Sequence, residues 1–227
     1  MKKTIRCRYM ECSLTSTMSL DCIGDRANTL ALDAYEKILS QNTTTNEPRP
    51  RIEHSQILRL SDIPRFAELG VIPSMQPTHC TSDMGYVETR LGSSRAKGAY
   101  PWRSLVQSGS KLALGSDFPV ELPDVTHGFY SAISRKWPDG SSPTGKNTGW
   151  FANETLSRGQ ALRGFTADAA YAQFEEEVGG RLMPGLRADM VLLDRDIMDP
   201  AVVPETETRK AKVLATCLDG HVAFKAS

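Results

Sequence analysis

No apolar run in this chain approaches the ~20 residues needed to cross a bilayer. None follows the basic start either. Met1-Lys2-Lys3-Thr4 leads straight into the charged and polar Ile5-Arg6-Cys7-Arg8-Tyr9-Met10-Glu11-Cys12, so the apolar stretch of a secretory signal is missing. Neither sign of charge is in excess: 27 basic side chains balance 27 acidic ones, which removes the compositional case for nucleic acid or a membrane surface as partner. The five cysteines are odd in number, scattered and without a Cys-x-x-Cys. They argue against a disulfide framework or a structural zinc knot, and for reduced thiols in a cytoplasmic setting. No Gly-rich phosphate loop follows any strand-like segment, which speaks against a flavodoxin-like binding domain. What is present is 227 residues, 40% of them hydrophobic, enough to bury a real core in one large or two small domains.

Residues 1–20 have little periodicity and are left unassigned. From Gly24 the texture changes. Ala27, Leu30, Ala31, Ala34 and Ile38 recur at helical spacing and predict a helix over 27–39. A polar, proline-bearing loop from Gln41 to Pro50 precedes a strand at 51–54. A helix over 62–69 follows, with Ser61 as its N-cap, Pro64 in its first turn and Gly70 past its end. Val71 to Met75 reads as the next strand, 77–100 as a long functional loop, Pro101 to Gln107 as a short helix and 111–114 as another strand. The cluster from Trp137 to Gly145 reads as irregular and exposed. Ser157-Arg158-Gly159-Gln160 has the form of a capping box, and Thr166 can cap a further helix to about Phe174. Ala188–Leu193 and Lys212–Phe224 are β-rich, with Asp219-Gly220 as a turn. Alternating strands and helices with a β-rich tail imply parallel α/β units carrying a small β appendage.

Three chemically capable side chains end successive strand-like segments: His54 in Glu53-His54-Ser55-Gln56, His79 after Val71 to Met75, and Asp117 in Leu114-Gly115-Ser116-Asp117-Phe118-Pro119-Val120. In a barrel of alternating strands and helices, active sites are built at the strand C-termini. Neutral imidazole and carboxylate suit a divalent metal, and a carboxylate beside an activated water can take its proton. A lone histidine at such a place is more often a packing or capping residue than a ligand. His127, a polar position on a helix, and His221, after a turn, have that plainer reading.

Five segments together resemble one group. They are Ile23-Gly24-Asp25-Arg26-Ala27-Asn28, Ile52-Glu53-His54-Ser55-Gln56, the run from Met75 to Met84, Gly115-Ser116-Asp117-Phe118-Pro119-Val120 and the run from Gly185 to Leu192. In order and spacing they resemble the amidohydrolase superfamily, in the branch of metal-dependent hydrolases that includes N-substituted formamide deformylases. The resemblance implies an α/β fold of the (β/α)8 TIM-barrel kind with one or two divalent metals, hydrolysing C–N bonds of amides. It implies that His54 binds metal, that Asp117 binds metal and activates water, and that His79 faces the substrate. Asp25 and Arg26 would be structural or would support the ligands from behind.

The departures set further expectations. Asp21 stands where family members carry a metal-binding histidine, so a carboxylate would have to serve there. The His-x-His pair of the family's first strand is missing from the chain. A complete barrel takes ~250 residues. The expectation is therefore an incomplete barrel, approximately strands 5–8, over residues 21–178, followed by a β-sandwich-like appendage over 179–227. Two functions follow. One is a metal-dependent, zinc-preferring hydrolase of small amide-like substrates, impaired by loss of the N-terminal half. The other is a catalytically silent fragment that folds or works only with a partner, with self-association as one route.

Overall fold

The computed structural model describes residues 18–41 and 48–226. Residues 1–17 of the unassigned N-terminal segment, most of the loop expected over Gln41 to Pro50, and Ser227 lie outside them. Four strands form a parallel sheet in chain order: β1 (Ser19–Cys22), β2 (Arg51–His54), β3 (Ile72–Met75) and β4 (Ala113–Leu114). Each pair is joined through helix, as parallel strands require: α1 (Asp25–Gln41), then α2 (Ile63–Glu68), then a run of three helices. Ile52, Met75 and Leu114 come from three adjacent strands and are buried. Burying each contributes roughly 1.5–3 kcal/mol.

The predicted helix over 27–39 is present as α1, but a different face is buried. Asn28, Ala31, Leu32 and Tyr35 point inward, whereas Leu30 and Ile38 are exposed. Polar anchors decide this rotation. Asn28 Nδ2 lies 3.0–3.3 Å from the carbonyls of Cys22, Gly24 and Ile57, and the Tyr35 hydroxyl reaches the carbonyls of Met18 and Arg51. Apolar periodicity does not see either. Ser61 is likewise not the cap of α2. It lies inside a 3-10 turn (Leu60–Asp62), and Asp62 takes the cap position. The Asp62 carboxylate accepts from Thr29 and Arg65 instead of capping.

The stretch 77–100 is not a loop. It folds as α3 (Pro77–Asp83) and α4 (Val87–Ala96), the latter broken at Gly92, where φ is 78°. Pro77 sits where its missing N–H costs nothing, and small residues of α3 pack on α6 (Val125–Ser134), with Thr81 and Ser131 hydroxyls 3.2 Å apart. The segment then returns to the chain after β2. Gly98 accepts there from the Leu58 N–H at 2.8 Å, and a Cβ at Gly98 would stand 1.9 Å from the Leu58 carbonyl oxygen. The Tyr100 N–H bonds the Gln56 carbonyl at 2.6 Å. The buried Arg135 guanidinium locks this junction, donating to the carbonyls of Tyr100, Ala99 and Trp150 between the Trp102 and Trp150 rings.

Helix α5 (Trp102–Gln107) matches the predicted short helix. The Trp137–Gly145 cluster holds a small hairpin, β5 (Ser141–Ser142) with β6 (Gly145–Lys146), and buries Ser142. The capping box is formed: Ser157 and Gln160 bond reciprocally at the start of α7 (Arg158–Phe165). Thr166 does not cap α8 (Ala167–Ala172), because its hydroxyl returns to the Leu162 carbonyl. The tail is an antiparallel sheet of β7 (Met190–Leu193), β8 (Val213–Leu218) and β9 (His221–Lys225), with Asp219-Gly220 turning between the last two. A short helix, α9 (Glu205–Thr208), lies between β7 and β8. Arg158 ties the tail to the first unit through the carbonyls of Ile197 and Val203, both at 2.7 Å.

Candidate metal centre

The candidate residues stand at the C-terminal ends of consecutive strands. His54 ends β2, His79 lies in the first turn of α3 directly after β3, and Asp117 follows β4 by three residues. The backbone bends sharply at two of these places. His54, Ser55 and Asp117 all have positive φ, at 69°, 44° and 58°. For L-residues that region costs roughly 1–2 kcal/mol, so the fold holds these side chains against a local preference, as functional sites often do.

The bends bring the three together. One ligand-capable atom each from His54, His79 and Asp117 lies within 4.8 Å of the others. The histidine rings stack with centroids 5.7 Å apart, and His79 Nε2 stands 3.8 Å from Asp117 Oδ2. His54 Nε2 is 2.9 Å from Asp21 Oδ1, across the β1–β2 pairing, while its Nδ1 faces Gln76 Oε1 at 3.0 Å. Asp21 therefore meets His54 but falls outside the compact group of three. Burial, and then the positive charge available at His54, push the His79 imidazole below its ordinary pKa, with Asp117 opposing. A neutral imidazole keeps one ring nitrogen as a donor and the other as a lone pair.

Other expected residues stand apart from this group. Asp25 and Arg26 open α1, where the Asp25 carboxylate accepts from the Arg26 N–H. The buried residue that links the end of β1 to the chain after β2 is Asn28. His127 lies on α6 with its Nε2 4.0 Å from Asp124, and His221 opens β9. Sequence reasoning missed the groups that hold the histidines: Gln76 behind His54, and Gln56, Tyr100 and Asp83 behind His79. The available signal was an amide side chain one or two places from each histidine-bearing strand end.

Residues 15–224 match the model of the amidohydrolase family. The chain belongs to this family. It is 35% identical over 211 residues to Protein LONG AFTER FAR-RED 3 of Arabidopsis thaliana, covering 91% of this chain and 34% of that protein. It is 27% identical over 212 residues to N-substituted formamide deformylase of Arthrobacter pascens, covering 92% of this chain and 36% of that protein. The crystal structure of an uncharacterized metal-dependent hydrolase from Pyrococcus furiosus superimposes with a TM-score of 0.67 at 30% identity, covering 81% of this chain and 34% of that one. The chain thus spans about a third of the length of the curated relatives it matches.

Amidohydrolases are metal-dependent, and the donors gathered here fit a divalent ion. Imidazole and carboxylate oxygens are the ligand types that such ions take from proteins. Among the described residues His79 Nε2 is buried without a hydrogen-bond partner, which leaves one polar atom beside the His54 and Asp117 donors with its need unmet. His54 Nδ1 lies 3.0 Å from Gln76 Oε1, to which it can donate, and this leaves Nε2, beside Asp21 Oδ1 at 2.9 Å, as the ring nitrogen that can offer a lone pair to an ion. No helix among the described residues is long and apolar enough to cross a membrane.

Proposed function

We propose that this chain carries the metal-binding and proton-transfer side of an amidohydrolase site for small amide-like substrates, and that alone it works weakly. The observation that carries the reading is the meeting of His54, His79 and Asp117 at the strand C-termini. His54 and Asp117 would hold a divalent ion, zinc by the chemistry of the donors, with the Asp21 carboxylate as a further donor on the His54 side. When bound, the ion supplies Lewis acidity and an activated water. Asp117 would take a proton and return it to the leaving nitrogen, and His79 would face the substrate carbonyl. Residues 21–178 would form part of a barrel, approximately its strands 5–8, and 179–227 its β-sandwich-like appendage.

Two features support weak action in isolation. The Asp21 side chain is 69% exposed and the Asp117 side chain 37%, so water competes for both carboxylates. One histidine and two carboxylates also form a looser set than the usual catalytic zinc site. Calorimetric titration with zinc tests the site. Weak binding is expected in the wild type and none in His54→Ala or Asp117→Ala, with negligible hydrolysis of N-acyl substrates throughout. Stoichiometric zinc together with amide turnover that disappears in Asp117→Asn would instead identify a competent enzyme. Equal zinc binding in the wild type and both alanine variants would overturn the site itself.

A further inference from the structure

The side chains behind His79 form a chain of donors and acceptors whose direction can be worked out from one end. At that end the Asp83 carboxylate can only accept. It accepts from the Tyr86 hydroxyl and, at 2.5 Å, from the Tyr100 hydroxyl. Burial first, and the bond to Asp83 second, raise the Tyr100 phenol far above its ordinary pKa, so its proton stays on oxygen. With that proton committed to Asp83, the Tyr100 oxygen can only accept from its next neighbour. The neighbour is the Gln56 side chain at 2.7 Å, which must therefore present its NH2 group. The same Nε2 lies 3.4 Å from His79 Nδ1. A second N–H of the amide points to that ring nitrogen, which must then offer a lone pair.

We infer that Gln56, oriented by Tyr100 and Asp83, fixes neutral His79 with its proton on Nε2. His79 is thereby a hydrogen-bond donor to an acceptor oxygen in the site. It is not a metal ligand through Nε2. Gln56, Tyr100 and Asp83 are positioning residues, since they act through His79. The geometry at the far end agrees. His79 is 7% exposed, and its Nε2 has no hydrogen-bond partner among the described residues. The nearest carboxylate, on Asp117, is 3.8 Å away, too far to accept well. A buried N–H with an empty acceptor position suits the carbonyl oxygen of an amide or acyl group, where developing negative charge would strengthen the bond. The backbone keeps the chain in line. Tyr100 N–H binds the Gln56 carbonyl at 2.6 Å, and Arg135 holds the Tyr100 carbonyl at 2.8 Å.

The functional meaning of this donor rests on the metal-site reading above, but the position of the proton can be measured with no metal present. Long-range nitrogen–proton correlation spectra of the metal-free chain, labelled at histidine and recorded at mildly alkaline pH, distinguish the two neutral ring forms. A His79→Gln variant assigns the signal among the four histidines. The Nε2–H pattern is expected in the wild type. Gln56→Glu replaces the donor with an acceptor and should move the proton to Nδ1. Added zinc should shift the His54 signals and leave the His79 pattern unchanged. An Nδ1–H pattern in the wild type would overturn the inference, and so would a folded Gln56→Glu chain that keeps Nε2–H. Loss of the His79 Nε2 proton on adding zinc would make it a ligand and overturn the donor role. Failure of zinc to bind at all would count against the metal-site reading and leave the proton assignment standing. The wild-type spectrum decides even where Gln56→Glu does not fold.

Discussion

Asp117 illustrates how far a single residue can be held against its own preference. Its φ of 58° is tolerated by glycine and resisted by most side chains, and among the described residues its carboxylate makes the long contact to His79 at 3.8 Å and no shorter side-chain ion pair. Asp117→Gly should therefore raise stability by about 0.5–1 kcal/mol, the relief of the left-handed backbone less the extra freedom of an unfolded glycine. Asp117→Ala keeps the Cβ and should give no gain. Urea unfolding of the two variants checks this, and a glycine variant no more stable than the alanine one would show that the bend is unstrained. The same residue was legible in the sequence, as were His54 and His79, because each ends a strand-like run that local pattern reveals. Gln56, Tyr100 and Asp83 were not. The Gln56–Tyr100 bond spans 44 positions and the Tyr100–Asp83 bond 17, so the folded path alone creates them.

Among the elements, β2, β3, β4 and the β-rich tail followed from apolar runs and turn residues, and the capping box at Ser157 followed from spacing, whereas β1 and the β5–β6 hairpin did not. The helices α3 and α4 were hidden, because small and polar residues that read as loop were packing against α6 and against the chain after β2. The face of α1 was hidden for a different reason: hydrogen bonds from Asn28 and Tyr35, not apolar residues, fix its rotation. The buried Asn28 therefore matters more to the seating of α1 than the neighbouring Arg26, which is exposed. Asn28→Ala leaves buried carbonyls short of a donor and should cost roughly 1–3 kcal/mol. Arg26→Ala should stay within about 0.5 kcal/mol of the wild type. Denaturant midpoints measured side by side separate the two, and a small, equal loss in both would show that α1 is seated by its apolar contacts.

For the whole molecule, the parallel sheet and the tail sheet differ in how they are covered. The parallel sheet is packed by helices, and its central residue Ile52 is fully buried. The tail sheet is only partly covered by the described residues. Met190, Val191 and Leu192 follow one another along β7 and so point to alternate faces, yet they are 41%, 57% and 60% exposed. All five residues of β9 are exposed too. An edge strand with apolar side chains on both faces and free backbone groups is a template for pairing with another chain. The parent sequence pattern announced the strands but not their exposure, since an apolar strand looks the same whether or not something covers it. The expected consequence is concentration-dependent self-association, read by sedimentation velocity. Val191→Lys with Leu192→Lys puts one charge on each face of the β7 edge, the device by which natural edges resist pairing, and should shift the chain toward monomer. A wild-type chain that sediments as a monomer at every concentration would mean that the exposed strands are tolerated as they stand.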